Sequence, residues 1–246
     1  MTETWIGGFH AVLAAIDNGA RRPREILLAD SRHDQRTREL RTRAQAAGIP
    51  VRSVQRYELD LRAPGLHHQG FLAAIEVAAL DGEELLATPA AADALLLMLD
   101  GVTDPHNLGA CLRTAEATGV SAVVVPRDRA AGLTPVARKA AAGAAERVPV
   151  IAVTNLSRSL QALRGHGYWT IGLAGDAAES LYAVDLRGPL VFVMGAEGSG
   201  LRRLTREHCD HLVHIPMRGA IESLNVSVAA AVCLYEALRQ RAAGSR

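Results

Sequence analysis

The stretch MGAEGSGL at 194–201, followed by IPMRGAIESLNVSVAAAV at 215–232, decides the fold. The apolar run LVFVM at 190–194 empties into three closely spaced glycines, Gly195, Gly198 and Gly200. A second run, LVHIP at 212–216, leads through Ser223, Leu224 and Asn225 into an Ala/Val-rich helix. Glycines at a strand exit let the backbone turn tightly and approach a ligand closely. Two such loops side by side, both leaving strands of an α/β fold, build a ligand site outside the carboxyl ends of those strands.

Working outward, LLLML at 95–99, AVVVP at 122–126 and VPVIAV at 148–153 are unbroken apolar runs, as expected of parallel strands covered on both faces. Helices are expected between them, over Gly109–Thr118, after Thr134 as N-cap with Pro135 at the first helical position, and over Ser157–Arg164. Alternating strands and helices imply a mainly parallel sheet with helices on both faces. Upstream lies a smaller α/β unit: IGGFHAVLAAIDNG as a helix stopped by Gly19, EILLA as a strand, DQRTRELRTRAQAAG as an arginine-rich helix and VRSVQ as a strand. The stretch DGEELLATPAAAD at 81–93 reads as the connection. The resulting division is 1–77, a linker over 78–93, and 94–246.

Composition narrows the function classes. The chain has 246 residues, 49% of them apolar, and a net charge of only +1. No apolar run approaches the roughly 20 residues a membrane helix needs, and the N-terminus has no basic and apolar secretory pattern, so a cytoplasmic protein is expected. Cys111, Cys209 and Cys233 show no CxxC spacing, which fits a reducing compartment. Lys139 is the only lysine, so cationic contacts must come from arginine, and residues 1–63 carry eleven arginines against eight acids. Guanidinium groups suit bidentate phosphate recognition. There is no G-x-x-x-x-G-K-[ST] for a P-loop and no G-x-S-x-G for a serine hydrolase, and the late G-x-x-G-x-G does not fit a dinucleotide fingerprint. His208, Cys209, His211 and His214 match no standard zinc spacing, so no metal is expected; His67 and His68 are expected to shape a turn or touch a phosphate.

Three segments in order, N-x-G-x-x-x-R-x-A at Asn107, Gly109, Arg113 and Ala115, M-G-x-E-G-x-G at 194–200, and I-P-M-x-G…S-L-N-V-S at 215–227, closely resemble the motifs of the SpoU (TrmH) branch of the SPOUT RNA 2'-O-ribose methyltransferases. The resemblance covers essentially the whole chain. It implies an α/β C-terminal domain closed by a trefoil knot, an exception to the rule of unknotted chains, and a small N-terminal RNA-binding domain. It further implies a homodimer, S-adenosylmethionine held bent against main-chain groups at Gly195, Ile215 and Leu224, and catalysis centred on Arg113 with Asn107, Glu197, Ser223 and Asn225.

A guanidinium with a pKa above about 12 is a poor general base. Arg113 is therefore expected to stabilise charge and hold the target phosphate, while Glu197 orients it or accepts the proton. Arg113 lies roughly one and a half turns beyond Asn107, so both line one cleft if Asn107 is still in the loop. The plainer reading of Arg113 is a surface arginine paired with Glu116 at i+3, and that of Asn225 is a helix N-cap. The separate N-terminal unit favours ribosomal RNA, and the resemblance, nearest to the ribosomal-RNA members of the family, implies a guanosine ribose in the peptidyl-transferase loop of 23S rRNA as the target. A transfer-RNA guanosine, a ribosomal adenosine, and a non-catalytic RNA-binding assembly factor remain open as alternatives.

Overall fold

The computed structural model describes residues 2–17, 22–77 and 86–243. They form a four-stranded mixed sheet followed by a seven-stranded parallel sheet.

The small sheet has the order β1-β4-β2-β3, built from β1 (Thr2–Gly7), β2 (Glu25–Ala29), β3 (Val51–Val54) and β4 (Phe71–Val77). Helices α1 (Phe9–Asp17) and α2 (Gln35–Ala46) cover one face, burying Phe9, Val12, Ile16, Leu40 and Ala44 against Ile26, Leu28 and Phe71. Helix α3 (Arg56–Arg62) covers the other through Leu59. One expectation changes here. Ile6 and Gly7 end a strand rather than open a helix, because Gly8 at φ 98° breaks the backbone before Phe9. FLAAIEV, unassigned from sequence, is the strand between β1 and β2. The proposed helix stop at Gly19 lies outside the described residues.

The large sheet runs β7-β6-β5-β10-β8-β11-β9. Its strands are β5 (Leu95–Asp100), β6 (Ala122–Pro126), β7 (Val150–Val153), β8 (Trp169–Leu173), β9 (Glu179–Ser180), β10 (Leu190–Gly195) and β11 (His211–His214). The apolar runs at 95–99, 122–126 and 190–194 are buried throughout, as strands covered on both faces must be. Helices α4 (Pro105–Ala117), α5 (Pro135–Ala140), α6 (Leu156–Gly165), α7 (Arg203–Glu207) and α8 (Val226–Ala243) supply those covers. Thr134 caps α5 through Ala137 N–H and Pro135 opens it, as the sequence reading expects. Leu86, inside the stretch read as linker, is buried with Leu96 and Met98 in the core beneath α6.

Helix α4 starts four residues earlier than expected. Asp104 accepts the His106 N–H at 2.8 Å and Pro105 takes the first helical position, an N-terminal signature that the expectation of a start at Gly109 passed over. Gly109 belongs to the α4–α5 contact, where a Cβ would come closer than 3.0 Å to Ala137 O and to Ala141 N.

The two units meet where α1 packs on the turn 141–144. Gly143, at φ 95°, lets the turn approach His10 O and Ala14 Cβ, each 3.1 Å from where its own Cβ would stand. Arg147 lies between Asp17 of the small unit (3.9 Å) and Glu116 of α4 (3.6 Å).

Candidate active site

The carboxyl ends of β8, β10 and β11 open onto a cleft of about 390 Å³. Its apolar wall comes from Leu173, Met194, Ile215, Leu224, Val226 and Ala229, its polar groups from Glu197, Glu222 and Ser223, and its floor from Gly195, Gly198 and Gly200. The size and the mix of apolar wall with few polar groups are those of a small-molecule site.

Close packing of backbone explains the glycines. A Cβ on Gly195 would come closer than 3.0 Å to the Gly200 carbonyl carbon and the Leu201 nitrogen, because the chain folds back directly over Gly195. The 196–200 loop is closed on itself by Ala196 N–H to Gly200 O (3.1 Å) and Gly200 N–H to Ala196 O (2.9 Å), with Gly198 and Gly200 at φ 80° and 65°. Glu197 sits exposed on this loop, at the cleft.

The second loop is fixed by Asn225. Its Oδ1 accepts the Ser227 N–H at 2.9 Å and the Ser227 hydroxyl at 2.6 Å, capping α8, while its Nδ2 donates to Asn107 Oδ1 at 2.9 Å. The N-cap reading of Asn225 therefore holds, and the same side chain ties α4 to the cleft wall. Five of the expected site residues, Gly195, Glu197, Ile215, Ser223 and Leu224, line one cavity, and Asn107 and Asn225 stand at its edge.

Arg113 is elsewhere. Asn107 is already inside α4, so six helical residues turn Arg113 to another face. Its exposed side chain lines a second groove, with His10 and Leu13 of α1 and with Glu116 and Arg147. The condition for both to line one cleft, that Asn107 remain in the loop, is not met. Nor does Glu116 pair with Arg113: it is the partner of Arg147.

Sequence reasoning missed the 173–175 segment, Met217, Glu222, Val226 and Ala229 as cleft residues. The clue was available in GLAGD at 172–176, another glycine-rich strand exit. His68, His208 and His211 serve the fold. His68 is buried, accepting the Gly70 N–H at Nδ1 (3.0 Å) with Nε2 2.9 Å from Asp60 Oδ1, so it shapes the turn into β4. His211 Nδ1 lies 3.2 Å from Glu179 and His208 Nδ1 lies 2.6 Å from Leu204 O. Burial pushes the Cys111 and Cys209 thiols up to about 12, the neighbouring Asp210 and Asp100 adding to the effect at Cys209, which leaves both poor nucleophiles.

Residues 94–235 match the SpoU rRNA Methylase family, and residues 5–79 match the RNA 2'-O ribose methyltransferase substrate binding family. The chain belongs to the SpoU rRNA methylase family. A 23S rRNA (guanosine-2'-O-)-methyltransferase RlmB from Pseudomonas putida is 51% identical over 239 residues, 96% of each chain. Among solved structures, the SpoU methyltransferase AviRb from Streptomyces viridochromogenes in complex with the cofactor AdoMet superposes with a TM-score of 0.81 at 27% identity, covering 98% of this chain and 92% of that one. The A. aeolicus TrmH/SpoU tRNA modifying enzyme covers 68% of this chain and 84% of its own, at 28% identity and a TM-score of 0.57.

Proposed function

We propose that this chain transfers the methyl group of S-adenosylmethionine to the ribose 2'-OH of a guanosine in 23S ribosomal RNA, in the peptidyl-transferase loop. The observation that carries this reading is the match to the Pseudomonas putida enzyme along 96% of both chains, substrate-binding unit and cleft together. The cleft suits the cofactor: a glycine floor for close main-chain approach, an apolar wall, and the carboxylates of Glu197 and Glu222 for a cationic ligand. Gly195, Ile215 and Leu224 would hold it through backbone groups.

Bound there, the cofactor supplies a methyl group already activated by its sulfonium, so the protein's task is alignment of the 2'-oxygen, removal of its proton and stabilisation of developing charge. Ser223 and the Asn107–Asn225 pair position the ribose beside the cleft. Glu197, exposed on its loop, orients the arginine or accepts the proton. Arg113 neutralises the target phosphate and lowers the pKa of the neighbouring hydroxyl.

Because Arg113 lies outside its own cleft, we place it at the cleft of a second copy. Val228, Val232 and Tyr235 form a stripe along α8, with Val228 and Tyr235 exposed, the face on which a homodimer would close. From its membership of the family we further infer that the C-terminal domain is closed by a trefoil knot. The exposed arginines of α2, among them Arg38, supply phosphate contacts. Ribosomal RNA as the substrate supports action in the cytoplasm, where ribosomes assemble; no helix among the described residues is long and apolar enough to cross a membrane.

Labelled methyl transfer to unmodified 23S rRNA and to unmodified tRNA, run side by side, separates the readings. Label in 23S rRNA is expected. Label only in tRNA would overturn the substrate, and cofactor binding with no transfer to either would favour the RNA-binding assembly factor.

A further inference from the structure

The Asp100 carboxylate is buried at the carboxyl end of β5, directly beside Gly195 in the strand register. One oxygen, Oδ2, accepts the Arg202 backbone N–H at 2.9 Å. The other, Oδ1, makes no hydrogen bond and lies 3.4 Å from Arg202 Nε. Withdrawing a carboxylate from water is unfavourable unless charge and hydrogen bonds compensate. Here the compensation comes from a single residue 102 positions further along the chain.

Arg202 marks the end of the segment that crosses Gly195. The backbone leaves Gly195, closes the 196–200 loop through the Ala196–Gly200 pair, passes back over Gly195 at Gly200–Leu201, and enters α7 immediately after Arg202. The loop therefore has two ties: its own internal bridge, and the Asp100 carboxylate holding its downstream end to β5. The internal bridge shapes the loop but does not press it against the sheet. The second tie does that, alongside the Leu201 side chain, which packs against Gly172 of β8 and the core beneath α6, and Asp100 itself does not line the cleft.

We propose that Asp100 is a positioning residue for the cofactor site. Through Arg202 it clamps the 196–201 segment across Gly195, holding the wall formed by Ala196, Glu197 and Gly198 in its binding shape before the ligand arrives. The inference rests on the reading of this cleft as the S-adenosylmethionine site. Pre-forming the wall removes ordering that the ligand would otherwise have to bring about, so the clamp acts on cofactor affinity.

The backbone bond and the guanidinium contact are separable. Arg202→Ala keeps the N–H and removes only the ion pair. Arg202→Pro removes the N–H as well, at a position whose φ of −61° a proline adopts without strain. Asp100→Asn keeps an acceptor, and Asp100→Leu keeps the volume without one. Cofactor affinity by calorimetry and KM for RNA are measured on the full chain, with melting temperature recorded alongside. Arg202→Ala and Asp100→Asn are expected to bind S-adenosylmethionine within about threefold of the parent, and Arg202→Pro and Asp100→Leu at least about tenfold more weakly, with KM for RNA unchanged. Affinity in Arg202→Pro equal to that in Arg202→Ala would overturn the clamp, and so would a parallel loss of RNA and cofactor binding. Failure of the parent chain to bind S-adenosylmethionine would overturn the assignment of the cleft itself.

Discussion

Asn225 donates through Nδ2 to Asn107 Oδ1 at 2.9 Å, joining the first turn of α4 to the cap of α8 across 118 residues of sequence. Asn225 Oδ1 accepts the Ser227 N–H and hydroxyl, so one side chain both starts α8 and fixes the cleft's edge. Replacing Asn225 by Ala removes the cap and the bridge and is expected to cost about 1–2 kcal/mol. Asn107→Ala, which removes the bridge alone, is expected to cost about 0.5 kcal/mol at this exposed position. Urea unfolding of both single variants and the double variant checks this, the double being less destabilised than the sum because the bridge is shared.

Gly195 ends β10 and Gly198 lies on the loop that follows, and the two differ in kind. Gly198→Ala meets nothing within 4 Å and suffers only its φ of 80°, at about 1–2 kcal/mol. Gly195→Ala drives a methyl group into the backbone of Gly200 and Leu201, which flexible side chains cannot relieve. Equilibrium dialysis with S-adenosylmethionine is expected to find binding retained in Gly198→Ala, weakened at most severalfold, and absent in Gly195→Ala.

Much of the fold was legible because buried parallel strands announce themselves as apolar runs, as Leu95–Leu99 and Leu190–Met194 do. The strands β1 and β4 were not, since TETWIG is polar at its start and FLAAIEV reads equally as helix, its pairing with β1 and β2 settling the matter only in three dimensions. The cleft loops were legible as glycine-rich or polar strand exits. The facing of Arg113 was not: moving the start of α4 back to Pro105 carries Asn107 into the helix and turns Arg113 away. Asp100 gave no signal either, for a single carboxylate at a strand end acquires meaning only from Arg202, 102 residues distant.

If Arg113 serves the cleft of a second copy, two crippled chains should rescue each other. Co-expressed Arg113→Ala and Glu197→Ala subunits, each inactive alone, are expected to give about a quarter of the parent activity, since half of randomly assorted dimers carry one intact site of two. Cofactor affinity of Arg113→Ala should equal that of the parent, because the arginine is assigned to the RNA phosphate and not to the cofactor. Mixed dimers no more active than either variant would contradict the arrangement.

The thiols make a prediction about pH. Cys111 and Cys209 are pushed up to about 12 by burial, from an ordinary value of 9.0. Between those values the unfolded chain releases protons that the folded chain keeps, so the folded state binds more protons and loses stability as pH rises. The contribution is complete below pH 9 and is withdrawn progressively towards pH 12. Urea midpoints measured across this alkaline range should fall, and alkylation of the native protein by iodoacetamide at pH 8 should be far slower than in urea. Equal alkylation rates would contradict the burial argument.

The most direct test of the central claim is to incubate the protein with labelled S-adenosylmethionine and unmodified 23S rRNA, then map the product by resistance to alkaline cleavage. The account predicts a single protected linkage, 3' to a guanosine of the peptidyl-transferase loop, and its loss in Arg113→Ala. Label confined to tRNA, or protection at a residue other than guanosine, would contradict it.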